Sequence, residues 1–284
     1  MKKNKLVEIA FYPGCSLTTS ALENYESLMI VCRKMGVDLK ELDGWNCCGT
    51  SSAHSINLKL AVQLALRNIA LAFNKQEMLI ACPSCFLRLK YAHIITKNNP
   101  NKIKEFEKNF KVPFPHKLRL IHILEFFNEN RDKIKPKIPL NGLIVAPYYG
   151  CMKNIPPKLR EELFVPTLIE SIIETLGGKS IIWPDRTKCC GTFLSAIKPL
   201  EITSIINKMF KNAMDSNAQC IVTACSMCHL TLEMRSNIKN RIPVFHFSEI
   251  LALSFGKNSH LNWFNRHLID PMPLLKKMKL IHKG

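Results

Sequence analysis

Cys47-Cys48-Gly49-Thr50 returns as Cys189-Cys190-Gly191-Thr192, and the rest of the chain can be read outward from these two tetrapeptides. Each has one cysteine well before it and a Cys-x-x-Cys well after it. The first set is Cys15, Cys47, Cys48, Cys82 and Cys85; the second is Cys151, Cys189, Cys190, Cys225 and Cys228. Equivalent cysteines are offset by 136, 142 and 143 residues. Ten of the twelve cysteines therefore write one five-residue pattern twice. That repeat predicts two similar modules, 1–138 and 139–284, in agreement with a prior of roughly 100–200 residues per domain.

Composition narrows the setting. An apolar fraction of 47% is enough for ordinary cores without disulfides. No stretch of about 18 uninterrupted apolar residues is present, so a membrane-spanning helix is not expected. The basic start Met1-Lys2-Lys3-Asn4-Lys5 leads into an apolar run too short for a signal-peptide core, which points to the cytoplasm. In a reducing compartment, patterned cysteines bind metal or do redox chemistry more often than they staple a fold. The net charge of +18, from 40 basic and 22 acidic residues, suits an acidic protein, an anionic membrane or nucleic acid, unless the lysines are merely solvating. Of these partners, nucleic acid is not expected.

Strands are expected at 6–11, 37–42, 78–81 and 118–121, then at 143–146, 180–183, 221–224 and 244–247. Helices are expected at 20–35, 52–73, 83–95, 102–110 and 123–130, then at 163–176, 200–214, 225–234 and 248–255. The segment 133–139, with two prolines and three lysines, reads as the linker. Strands alternating with helices predict an α/β fold of two parallel sheets related by an approximate two-fold. The cysteines fall just after predicted strands or in the loops they feed, where ligands gather in such sheets. One metal site per module, with a substrate cleft between them, follows.

Five cysteines per site exceed the four that zinc or a common cubane cluster takes. Adjacent cysteines in a tight turn before glycine could both reach one multi-iron object, and Gly49 and Gly191 are read as letting the backbone approach it. With Tyr12-Pro13-Gly14-Cys15 and Tyr149-Gly150-Cys151 ahead and Cys-x-x-Cys behind, the chain resembles the B subunit of heterodisulfide reductase over about residues 6–275. The same double module occurs in the related membrane-associating subunit of certain succinate dehydrogenases and fumarate reductases.

The resemblance implies two non-cubane [4Fe-4S] clusters. One would lie on Cys15, Cys47, Cys48, Cys82 and Cys85, the other on Cys151, Cys189, Cys190, Cys225 and Cys228. Zinc in the N-terminal site is the lesser alternative, and no ligand is missing that would force it. The implied role is an oxidoreductase subunit that exchanges electrons with a disulfide or other sulfur substrate, alongside iron–sulfur and flavoprotein partner subunits. The alternative is an anchoring subunit that exchanges electrons with a quinone, in peripheral contact with the cytoplasmic face of the membrane. No dinucleotide fingerprint is present, so nicotinamide or flavin belongs to a partner.

The remaining candidates have plainer readings. Cys32 and Cys220 are core thiols. His54 and His229 support a site from behind. His122 and His246 each precede the last helix of their module. Trp45 and Trp183 pack around the sites. The tail residues Trp263, Phe264, Leu268, Leu274 and Leu275 belong to core packing or subunit docking in preference to a membrane surface.

Overall fold

A computed structural model describes residues 6–50, 53–153, 167–256 and 258–281. The N-terminal half builds β1 (Val7–Tyr12), a single turn α1 (Cys15–Thr18), α2 (Leu22–Lys34) and β2 (Val37–Glu41). The turn α3 (Ala53–Ile56), α4 (Leu58–Leu71), β3 (Glu77–Ile80), α5 (Pro83–Lys97), α6 (Pro100–Phe110), β4 (Arg119–His122) and α7 (Ile123–Glu129) follow. The C-terminal half repeats the plan with β5 (Ile144–Tyr148), α8 (Leu168–Thr175), β6 (Lys179–Ser180), α9 (Pro199–Asp215), β7 (Cys220–Thr223), α10 (Ser226–Arg235), β8 (Val244–His246) and α11 (Phe247–Ser254). A 3-10 segment (Asn258–Arg266) and α12 (Met272–Lys277) complete it. Each half holds one four-stranded parallel sheet, ordered β2-β1-β3-β4 and β6-β5-β7-β8.

Strand alternation sorts the layers. Along β1, Ala10 and Tyr12 face an outer core with α4 and α5, while Ile9 and Phe11 face a central core. The second half mirrors this: Ala146 and Tyr148 face outward beneath α9 and α10, and Val145 faces inward. The central core runs unbroken through both halves, because α2 packs on α11 and α7 on α8. These two contacts exchange under the internal two-fold. The linker is fastened to this layer: Lys137 and Ile138 donate N–H to the carbonyl of Ser254, and Ser254 Oγ donates back to Ile138.

Several boundaries differ from the sequence reading. The helix at 52–73 breaks at Asn57, whose side chain caps α4 by accepting from the Leu60 amide at 3.1 Å. The strand at 180–183 pairs only over Lys179–Ser180. Of the helix at 163–176, the first four residues lie outside those described. In place of a fully exposed helix at 102–110, α6 buries Phe106, which packs edge-on to Phe114 and tilts against Phe110. The tail likewise joins the central core through Trp263, Phe264 and Leu275, while Leu268 stays exposed.

Candidate functional site

All ten patterned cysteines line a single cavity between the two halves, together with Ser16, Thr50, Ser84, Thr192, Phe193 and Met227. The sequence pattern implied one site per module; the fold brings both to the same cleft. Within the first set, Cys48 Sγ lies 3.2 Å from Cys85 Sγ. Within the second, the equivalent pair Cys190 and Cys228 is 3.4 Å apart. The sets also lie close enough to influence each other, since Cys225 draws the Cys82 thiol well down. Ser84 reaches across as well, its Oγ 3.9 Å from Cys151 Sγ. The two cysteine turns cross over in the same sense: α1 packs on α10, and the 3-10 turn Gly150–Lys153 packs on α5.

Each station has a local cause. Cys82 caps α5, with Pro83 in its first turn, so Cys85 sits one turn in; Cys225 caps α10 and places Cys228 likewise. The double-cysteine turns are held by tyrosines at the ends of β1 and β5. Tyr12 donates to the Asn46 carbonyl at 2.8 Å, and Tyr148 to the Lys188 carbonyl at 2.6 Å. The counterpart of Tyr12 is therefore Tyr148, not Tyr149; Tyr149 instead donates to Glu170 and accepts from the Ile169 amide. Asn68 on α4 grips the first turn twice, accepting from the Asn46 amide and donating to its carbonyl. In both turns the glycine amide points at the sulfur of the first cysteine of the pair: Gly49 N to Cys47 Sγ at 3.5 Å, Gly191 N to Cys189 Sγ at 3.4 Å.

The glycines divide the labour differently from the sequence reading. A Cβ on Gly49 would come within 2.9 Å of Ala53 and Leu64, and one on Gly191 within 2.3 Å of Ile202. Those glycines let the turn pack on the following helix. A Cβ on Gly14 or Gly150 would instead stand 3.2 Å from Cys85 Sγ or Cys228 Sγ. The close approach to the thiols belongs to the glycine before the first cysteine of each set.

The threonine that ends both tetrapeptides also has a role the sequence did not disclose. Thr50 donates to the Ser84 carbonyl and Thr192 to the Met227 carbonyl, each at 3.2 Å, tying the double-cysteine turn to the Cys-x-x-Cys turn. Its recurrence in both copies was the available signal.

Crowding governs the electrostatics. The neighbouring Cys47 and Cys85 thiols draw Cys48 down to about 3. Cys85 is pushed well up by its bonds to Cys48 and Cys82, by burial and by their negative charge. Cys228 is pushed up in the same way by Cys190 and Cys225. Burial, then the neighbouring cysteine charges, keeps Tyr12 and Tyr148 protonated. Thiolates are what metal binds, and ten of them gathered here would call for positive metal to balance their charge. Five converging thiols per half, a missing Cβ beside two of them and the absence of disulfides fit an iron–sulfur group in each half.

The other candidates separate cleanly. Cys32 and Cys220 are fully buried in the central core, where burial pushes both thiols up. Trp45 packs edge-on to Tyr12, and Trp183 donates to the Pro147 carbonyl at 2.7 Å. His122 and His246 are N-caps of capping boxes with Glu125 and Glu249, which explains their recurrence. The side chain of His54 lies outside the described residues. His229 joins a buried polar cluster with Asn24, Glu233, Glu249 and His267, which the sequence pattern did not reveal because its members come from four separate segments.

Comparison with known proteins agrees with this construction. The cysteine-rich domain family CCG matches twice, over residues 9–90 and 145–233. The 8-methylmenaquinol:fumarate reductase membrane anchor subunit of Wolinella succinogenes is 29% identical over 282 residues, covering 94% of this chain and 99% of that one. The B subunit of the ferredoxin/F(420)H(2)-dependent CoB-CoM heterodisulfide reductase of Methanosarcina acetivorans is 26% identical, covering 98% and 99%. A solved structure of a hypothetical protein from Helicobacter pylori shares the fold, with a TM-score of 0.73 and 13% identity; the chain spans 51% of its length.

Proposed function

Because the chain belongs to the cysteine-rich CCG domain family, we propose that it is the iron–sulfur subunit of a heterodisulfide reductase-like complex, exchanging electrons with a disulfide or other sulfur substrate. The observation that carries this reading is the shared cavity: both five-cysteine sets open on one space. Cys15, Cys47, Cys48, Cys82 and Cys85 would hold one non-cubane [4Fe-4S] cluster, and Cys151, Cys189, Cys190, Cys225 and Cys228 the other. The clusters would supply the electrons, received from or passed to a partner iron–sulfur or flavoprotein subunit.

The chain's own residues do the rest. Phe193 and Met227 give the cavity apolar walls that keep water out and accept an organic disulfide. Tyr12, Tyr148 and the two threonines hold the double-cysteine turns rigid, so their geometry does not relax with charge. Cleavage of a disulfide takes up two electrons and two protons and releases two thiols; a substrate between the two sets meets one at each sulfur.

A second reading rests on the Wolinella succinogenes relative and on surface chemistry. No helix among the described residues is long and apolar enough to cross a membrane. Exposed apolar side chains follow both double-cysteine turns, with Ile56 and Leu58 in one half and Phe193, Leu194, Ile197 and Leu200 in the other. Exposed Lys59 and Lys198 lie among them. Each half thus exposes apolar side chains beside a lysine, outside both the 97–140 segment and the tail. Such surfaces suit peripheral contact with an anionic membrane and exchange with a quinone.

One assay separates the two. The complex is isolated anaerobically from its native source and supplied with reduced benzyl viologen. The main reading expects viologen oxidation on addition of an organic disulfide, with two thiols formed per disulfide. Turnover with fumarate and a menaquinol analogue, and none with any disulfide, would replace it by the second.

A further inference from the structure

The polar cluster behind the C-terminal cysteine set is built like a metal site. His229 follows Cys228 directly on α10, Glu233 lies one turn along the same helix, and His267 arrives from the tail. Their side chains are 3%, 4% and 0% exposed. Each is held by one polar atom. His229 Nδ1 is 3.1 Å from Asn24 Oδ1, His267 Nε2 is 2.8 Å from Glu249 Oε1, and Glu233 Oε2 accepts from the Leu268 amide at 2.8 Å.

The other polar atoms of these residues, His229 Nε2, His267 Nδ1 and Glu233 Oε1, converge. They lie within 4.8 Å of one another, and none has a hydrogen-bond partner. Glu233 Oε1 stands 3.6 Å from His229 Nε2 and 3.3 Å from His267 Nδ1. A charge-assisted hydrogen bond between such groups closes to about 2.7–2.9 Å, as His267 does with Glu249. Separations of 3.3 and 3.6 Å instead suit donor atoms about 2.0–2.2 Å from a shared ion.

From this geometry we propose that His229 Nε2, His267 Nδ1 and Glu233 Oε1 bind one zinc ion, at a site separate from the cysteine cavity. Asn24 and Glu249 accept the opposite N–H of each imidazole and fix which nitrogen faces the metal, the usual arrangement around metal-bound histidine. Charge supports the assignment. Glu233 and Glu249 are two buried carboxylates, and a dication with two neutral imidazoles balances them. The site belongs to one half only: at the positions of His229 and Glu233, the first repeat has Phe86 and Lys90. Its role is to pin the tail to the helix that carries Cys228.

The test uses the whole chain, purified anaerobically with its iron. Elemental analysis should find about one zinc per chain, and zinc-edge X-ray absorption should show nitrogen and oxygen neighbours at about 2.0–2.1 Å with no sulfur near 2.3 Å. His267→Gln should lower zinc at least about tenfold with iron unchanged. Sulfur neighbours would place the zinc on cysteines and overturn the proposal, as would a wild-type chain without zinc, in which a proton on His267 joins the two carboxylates. The absorption spectrum is read on the wild type, so a variant that fails to fold does not blunt it. Iron content and disulfide turnover report on the cysteine cavity independently.

Discussion

The two cysteine sites are built from the same parts, yet the protein behind them differs. At the cavity the halves agree closely: a tyrosine to the double-cysteine turn, a threonine to the Cys-x-x-Cys turn, a thiol pair at 3.2 or 3.4 Å. One layer back they part. Cys85 is followed by Phe86, which packs edge-on to His122. Cys228 is followed by His229, which enters a buried network of two carboxylates and His267. The capping boxes show the same split. Burial raises Glu125 to about 7, whereas His267 holds Glu249 below the usual carboxylate range despite burial. Chemistry that both halves perform is repeated; packing that only one half needs, where the tail docks, is free to differ.

The largest expected effect tests whether the two sets are separate. Cys48→Ser and Cys190→Ser should each halve the iron of anaerobic protein, from about eight to about four atoms per chain, while Cys32→Ala and Cys220→Ala leave it unchanged. Loss of all iron from either single variant would show that the two sets assemble as one unit.

Next comes the layer behind. Glu249→Gln weakens the buried hydrogen bond that His267 Nε2 makes to the carboxylate at 2.8 Å and should destabilise by about 2 kcal/mol at pH 7, read by thermal or denaturant unfolding. Glu125→Gln should instead stabilise at pH 7, and the reason lies in the pH profile. The folded-state value of Glu125 is raised above its unfolded 4.5, so its stabilising contribution is complete below 4.5 and lost as the pH rises through about 7. Glu125→Gln should remove that decline, worth about 3 kcal/mol, between about pH 4.5 and 7. Glu249 is depressed instead, so its contribution is present above 4.5 and lost as the pH falls through its folded-state value. Equal responses from the two glutamine variants would erase the distinction between the halves.

The smallest effect is one on which the halves should agree. Gly49→Ala and Gly191→Ala carry both a left-handed backbone (φ +76° and +72°) and a crowded Cβ, and should each destabilise by about 2 kcal/mol. Gly36→Ala, with φ +83° and nothing within 4 Å, should cost about 1 kcal/mol. Unfolding midpoints of the three variants measure this.

Much of the site was legible because it is repeated. The tetrapeptides, the flanking cysteines and the alternation of strands with helices each appear twice, and a pattern seen twice identifies itself. Cys32 and Cys220 stood out for the opposite reason, as cysteines outside the pattern. Single occurrences were harder to read. The paired tyrosine was misaligned by one residue, because Tyr148 and Tyr149 are adjacent and only the hydrogen bond to Lys188 tells them apart. Gly49 and Gly191 were assigned to the cluster because sequence cannot show that Leu64 and Ile202 lie against them.

The family, the ten cysteines, the parallel α/β modules and their duplication are written in local periodicity and in spacing along the chain, so the amino-acid order was enough to find them. A cleft between the modules was expected, but that all ten cysteines reach it emerged only from the folded chain, because a spacing of 136–143 residues carries no information about distance in space. It depends on α2 docking on α11 and α7 on α8, which turns the carboxyl ends of both sheets toward each other. The meeting of His229, Glu233 and His267 is likewise a product of folding, since burial of the tail in the central core delivers His267 to a helix that lies well before it in the chain.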